Sequence, residues 1–117
     1  MADEGQPVYL PVIVLSEVAA AISRGTGEPA LARRLTAVLL GIPHFEFVPV
    51  SANLGRSAAA LDAEHGIRGC ESVYVALARE RGARLITLDQ QQRDRVPSHV
   101  IARSPAEEIS RCEDVDR

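Results

Sequence analysis

Two apolar, β-branched runs each follow a helix-patterned stretch that ends in glycine, and this order constrains the chain more than any other feature. Residues 44–50 (HFEFVPV) come after a stretch that runs from Glu28 and Pro29 to Leu40 and is closed by Gly41, Ile42 and Pro43. Residues 84–88 (RLITL) come after residues 70–81, closed by Gly82. Alternation in the first run and apolar continuity in the second predict strands, the second one buried. A glycine just past a periodic stretch is the expected helix stop. Strands separated by helices pair in parallel, because the crossover helix returns the chain to the same end of the sheet. An α/β fold is therefore predicted.

The rest of the chain fits the same scheme. Residues 8–10 read as a short strand, and Pro11 suits the first turn of a helix that runs to Arg24 and ends at Gly25, Thr26 and Gly27. Ser51 is a good N-cap for a helix through Glu64, stopped by Gly66. A polar stretch, QQQRDR, follows Asp89. Residues 99–102 are predicted as a last strand and residues 104–109 as a short helix. The organisation expected is a polar lead-in (1–7), one domain (8–110) and a frayed acidic tail (111–117). The 117 residues suffice for one core, and with 3% aromatics and no Trp it must be built from Ala, Val, Leu and Ile.

Several function classes are excluded or weakened. No apolar run reaches the roughly 18 residues of a membrane span. The N-terminal MADEGQP has neither the basic nor the apolar region of a signal peptide, so a cytoplasmic protein is expected. Cys70 and Cys112 are too few for a disulfide framework, and Cys70 reads as a small packed residue. The net charge of -3 speaks against nucleic-acid binding by charge alone. Between positions 79 and 103, however, six Arg face three acids, and Lys is absent from the chain. Arg is the better bidentate phosphate ligand, although coding bias explains a Lys-free chain more simply.

Three carboxylates stand out. Glu17 has Ile13, Val14, Ala20 and Ala21 as its helical neighbours. It is either a catalytic or metal-binding carboxylate at a cleft edge or a side chain turned to the water boundary. Asp89 ends a strand, where open parallel sheets place their ligands. With Gln92 three residues on, it also resembles a helix N-cap with a capping box, and the two roles can coexist. Glu71 falls in the first turn of its helix, where the dipole favours any acid. Asp94, between Arg93 and Arg95, reads as a solvated pair partner, and His44, His65 and His99 form no metal spacing. Glycine-rich nucleotide loops, a nucleophile elbow and RNA-recognition aromatics are all missing. Acids on separate elements without a catalytic His or Cys point to Mg²⁺ or Mn²⁺, which take carboxylate oxygens and leave positions for phosphate and water.

Taken together, these segments resemble the PIN-domain family, in particular the VapC-like toxins of bacterial toxin–antitoxin pairs. Residues 10–24 (LPVIVLSEVAAAISR) resemble its Pro-x-x-x-x-x-Glu helix, with Glu17 at the acid. Residues 68–89 (RGCESVYVALARERGARLITLD) resemble its Arg-Gly-Ala-Asp-Ala helix followed by a Thr-x-Asp strand end. Residues 43–69 resemble the strand and helix between them, and residues 102–105 (ARSP) its closing strand. The resemblance implies a three-layer α/β/α fold with a short parallel sheet. It also implies a metal-dependent endoribonuclease with Glu17, Glu71 and Asp89 as catalytic metal ligands for Mg²⁺ or Mn²⁺ and Thr87 supporting Asp89. RNA is then the substrate, a homodimer the assembly and a VapB-like antitoxin the partner.

Two departures accompany the resemblance. The family opens with a strand that bears its first acid, whereas only residues 1–7 precede the matching segment, with Asp3 and Glu4 in a polar context. An N-terminally truncated version is expected, its sheet left with a gap or an exposed edge and its activity weakened. Glu71 stands where the family has Asp, and the extra methylene moves the carboxylate by about 1.5 Å. The alternative is a catalytically inactive remnant that serves as a dimerisation or antitoxin-binding module.

Overall fold

The computed structural model describes residues 6–87 and 89–115, in two compact units that divide at residue 51. Asp3, Glu4 and Leu88 lie outside the described residues, as do the side chains of residues 112–117, Cys112 among them.

The first unit holds β1 (Val8–Pro11), α1 (Val14–Thr26), α2 (Pro29–Leu40) and β2 (Phe45–Val48). β1 and β2 pair in parallel, with Val8 opposite Phe45 and Pro11 opposite Val48. Pro11 therefore ends a strand and is buried, instead of starting the helix as its sequence context predicts. The backbone gives the reason. Val8 N donates to His44 O and Val12 N to Val48 O, both at 2.8 Å, so even-numbered residues turn their N–H toward β2. Pro11 faces the other way and its missing donor interrupts no rung. α1 passes through Gly25 and stops at Gly27, whose φ of 68° no branched residue would adopt cheaply. α2 begins as expected, with Pro29 in its first turn after an extended Glu28. On β2, Phe45 and Phe47 share a face and meet edge to face, 6.4 Å between centroids.

The second unit holds α3 (Ala52–His65), α4 (Gly69–Arg81), β3 (Leu85–Ile86), α5 (Gln90–Arg95), β4 (Ala102–Arg103) and α6 (Pro105–Val115). Ser51 Oγ accepts from Leu54 N at 3.1 Å and caps α3, while Gly66 at φ 67° ends it. Leu54, Ala58 and Leu61, spaced four and three apart, form the buried stripe of α3. α3 packs on α4, where Val75, Ala76, Leu77 and Ala78 are buried in succession. Four consecutive buried positions cover more than one face, so α4 is an interior helix and carries little amphipathic signal.

Elsewhere the structure corrects the sequence expectations. The strand at residues 84–88 is short and half-covered: Leu85 is buried but Ile86 is 43% exposed. QQQRDR forms a helix, α5, because Asp89 caps it. The last strand is displaced to Ala102–Arg103, since Val100 N turns back to Pro97 O at 2.9 Å. α6 continues past Ile109 to Val115. Cys70 is exposed, since α4 turns Ser72, Val75 and Ala76 inward and Cys70 away from them. β3 and β4 pair in parallel, so the α/β class holds with helices dominant, but each unit carries its own two-stranded ladder in place of one sheet.

Glu108, on α6, holds the end of the second unit together. Its Oε1 accepts from Arg84 Nε at 2.9 Å and from Arg111 Nη2 at 3.0 Å, and its Oε2 from Arg103 Nη1 at 3.3 Å. These arginines lie before β3, on β4 and on α6, so one carboxylate ties three elements. Burial alone would push the Glu108 carboxyl up, but the Arg111 hydrogen bond, the charge of Arg84 and the Arg103 hydrogen bond outweigh it and hold the group below its ordinary 4.5. A depressed folded-state value means that the stabilisation is complete above about pH 4.5 and is lost as pH falls through the folded value. Urea midpoints at pH 7 and pH 3.5 should therefore differ more for the wild type than for Glu108→Gln. Equal acid sensitivity would place the acid-labile contact elsewhere.

Candidate metal and phosphate cleft

Glu71 and Asp89 come together on the wall of one cleft of about 360 Å³ in the second unit. Glu71 sits in the first turn of α4, whose start is set by the Gly66–Ile67–Arg68 link from α3. Ile67 is 1% exposed and anchors that link, and Asp62 Oδ2 accepts from Gly69 N at 3.4 Å. Asp89 follows β3 and caps α5, its Oδ1 accepting from Gln92 N at 3.2 Å. Ile67, Arg68, Gln91, Gln92 and Arg95 complete the lining. The cleft thus carries two carboxylates, two guanidinium groups and two amides.

Gln92 organises this wall, and sequence reasoning sees in it only the second half of a capping box. A full box would return the Gln92 side chain to Asp89 N. Instead Thr87 Oγ1 accepts from Asp89 N at 3.1 Å and donates to Gln92 Oε1 at 2.7 Å. That frees Gln92 Nε2 to donate across to Glu71 O at 3.3 Å. A single buried amide therefore bridges the backbone of one acid to the turn that presents the other. The available signal is the pairing of Thr87 with Gln92, but the reach to α4 spans 21 residues and no local pattern encodes it. Arg93 Nη1 closes the turn by donating to Thr87 O at 2.7 Å. Gln92→Leu should lower stability by about 1–3 kcal/mol, because it removes both part-buried hydrogen bonds of the amide, from the Thr87 hydroxyl and to the Glu71 carbonyl. Chemical denaturation would show it, and a change below about 0.5 kcal/mol would mean that water replaces the amide.

Glu17 lies on α1 of the first unit and is exposed, so the desolvation cost suggested by its apolar neighbours does not arise. Among the described residues, no group of three His, Cys, Asp or Glu is placed to hold a metal ion. The two acids of the cleft nonetheless suit a hard divalent cation. Such ions are often held by one or two carboxylates and keep their remaining positions for water and phosphate oxygens. No helix of the described residues is long and apolar enough to cross a membrane.

Comparison with known proteins agrees with this architecture. The PIN domain matches residues 2–96. Among solved structures, VapBC2 from Rickettsia felis, crystallised with a DNA fragment of its promoter, is similar in fold. The TM-score is 0.67 at 19% identity, over 86% of this chain and 76% of that one. No protein of curated function matches. The order of elements, the acids at the α4 and α5 starts and the match over most of the chain lead to one assignment: the chain belongs to the PIN-domain family.

Proposed function

We propose that the protein is a VapC-like endoribonuclease that hydrolyses RNA phosphodiester bonds in the cytoplasm and depends on Mg²⁺ or Mn²⁺. The observation that carries this reading is the meeting of Glu71 and Asp89, from separate elements, in one cleft of a PIN-domain chain. Their carboxylates are the groups to hold the ion, and Thr87 and Gln92 keep Asp89 oriented through its N–H and its Oδ1. A bound divalent ion would supply Lewis acidity toward a phosphodiester and lower the pKa of water. On the strength of the resemblance alone, Glu17 of the first unit is proposed as a further functional carboxylate.

The test is cleavage of a mixed single-stranded RNA pool by the purified chain with Mn²⁺ and with EDTA. Cleavage that requires the cation supports the reading, and none at millimolar Mn²⁺ sinks it. A similar fold in a VapBC2 complex supports a VapB-like antitoxin as partner. We also propose a homodimer, for which sedimentation gives the mass directly.

One observation favours a second reading. Two acids line the cleft, with Glu71 in place of the shorter Asp, and among the described residues no third ligand joins them. Since the loss even of a group that only orients a ligand costs about 10–100-fold in affinity or activity, the cleft could be retained for binding alone. Capture of a VapB-like protein without RNA cleavage would establish that reading.

A further inference from the structure

We propose that Arg68 and Arg95 form a phosphate-binding subsite in the cleft, beside Glu71 and Asp89, that grips a phosphate group of an RNA strand. The RNA rests on the nuclease reading above, but the anion site does not. Both guanidinium groups line the cleft. Arg95 Nη1 donates to Gly66 O at 2.9 Å, which orients the group against the α3–α4 link and leaves its other donors uncommitted among the described residues. Arg68, the residue before α4, is exposed, and its side chain makes no hydrogen bond or ion pair among the described residues.

The neighbouring arginines are occupied structurally. Arg84, Arg103 and Arg111 share Glu108, and Arg93 is bonded to Thr87 O. In a chain of net charge -3, the uncommitted cations of this unit's cleft are thus not a by-product of excess basic charge. The balance inside the cleft fits the same ligand. Two carboxylates and two guanidinium groups sum to zero, so one divalent ion leaves a surplus of two positive charges. A phosphodiester or a terminal phosphate reduces that surplus, and its oxygens match the planar donor fork of Arg. Gln92 is spent on Thr87 and Glu71, which leaves the two arginines as the charged donors for an incoming anion, with the Gln91 amide beside them.

The probe is a fluorescent ten-nucleotide oligouridylate, with and without a 5′-phosphate, titrated by anisotropy in Ca²⁺ and in EDTA. Wild type is compared with Arg68→Gln, Arg95→Gln and the double variant, and Mn²⁺ affinity is measured in parallel. The double variant should bind at least about tenfold more weakly. The slope of log affinity against log salt should shrink by about 0.7 for each phosphate that the variant no longer neutralises, while Mn²⁺ binding is not weakened, since the variant removes two positive charges from beside the carboxylates. Arg68→Gln removes no internal hydrogen bond, so the proposal stays testable even if Arg95→Gln misfolds. Tighter binding of the 5′-phosphorylated strand assigns the subsite to a terminal phosphate, and equal binding assigns it to an internal diester. Unchanged affinity and slope in the variants overturn the subsite while leaving a Mn²⁺-binding nuclease intact. Failure of the wild type to bind the strand overturns it as well. Arginine-dependent binding of the strand without any Mn²⁺ binding supports the subsite and removes the nuclease.

Discussion

Asp89→Asn should abolish Mn²⁺ binding by calorimetry and reduce any RNA cleavage by at least about 100-fold, while the melting temperature barely moves. Asp89 has two separable jobs. Its Oδ1 caps α5 by accepting from Gln92 N, and its charge belongs to the cleft. Asparagine is as good an N-cap as aspartate, so the amide oxygen keeps the bond to Gln92 N. The negative charge, on which a hard cation depends, is gone. Asp89→Ala removes both and should add a stability loss of about 1 kcal/mol. The pair of variants separates chemistry from folding. Mn²⁺ affinity retained in Asp89→Asn would place the ion, if one binds, away from this cleft.

Leu61→Ala should destabilise the protein by about 2–5 kcal/mol, out of the 5–15 kcal/mol typical of a domain. Leu61 is 1% exposed on the inner stripe of α3, and α3 packs on the helix that carries Glu71. Truncation leaves a void between close-packed elements that can only partly collapse. Glu80→Ala, on an exposed position of α4, should stay within about 0.5 kcal/mol. Urea denaturation at pH 7 compares the two directly. A loss below about 1 kcal/mol for Leu61→Ala would mean that α3 and α4 slide together to fill the space, and Glu71 would then shift with them.

Glu108 and Gln92 show why part of the molecule could not be read in advance. Along the chain Glu108 is one of two adjacent acids in a helix, and Gln92 is one of three consecutive glutamines and the second half of a capping box. Their significance comes from partners far away in sequence, Arg84 for Glu108 and Glu71 for Gln92. Cys70 and Glu17 escape a local reading for a related reason. Which face of a helix turns inward depends on its neighbours, and α4 buries four consecutive residues, Val75 to Ala78, in its middle.

What was legible locally was legible because it is decided locally. Ser51 caps α3 through a bond three residues away, and Gly27, Gly66 and Gly82 stop helices by adopting a positive φ that other residues resist. The alternation of strands and helices set the α/β class, whereas the meeting of Glu71 and Asp89 in one cleft came with the tertiary structure. Tertiary structure decided the rest. Pro11 entered a strand because β2 lies on the side of the chain that asks nothing of its nitrogen. The polar run after Asp89 became a helix tied to α4, since Gln92 gains buried partners there that water-exposed coil would not supply. Short-range steric and capping preferences are written residue by residue, whereas burial and long-range hydrogen bonds exist only once distant segments have met.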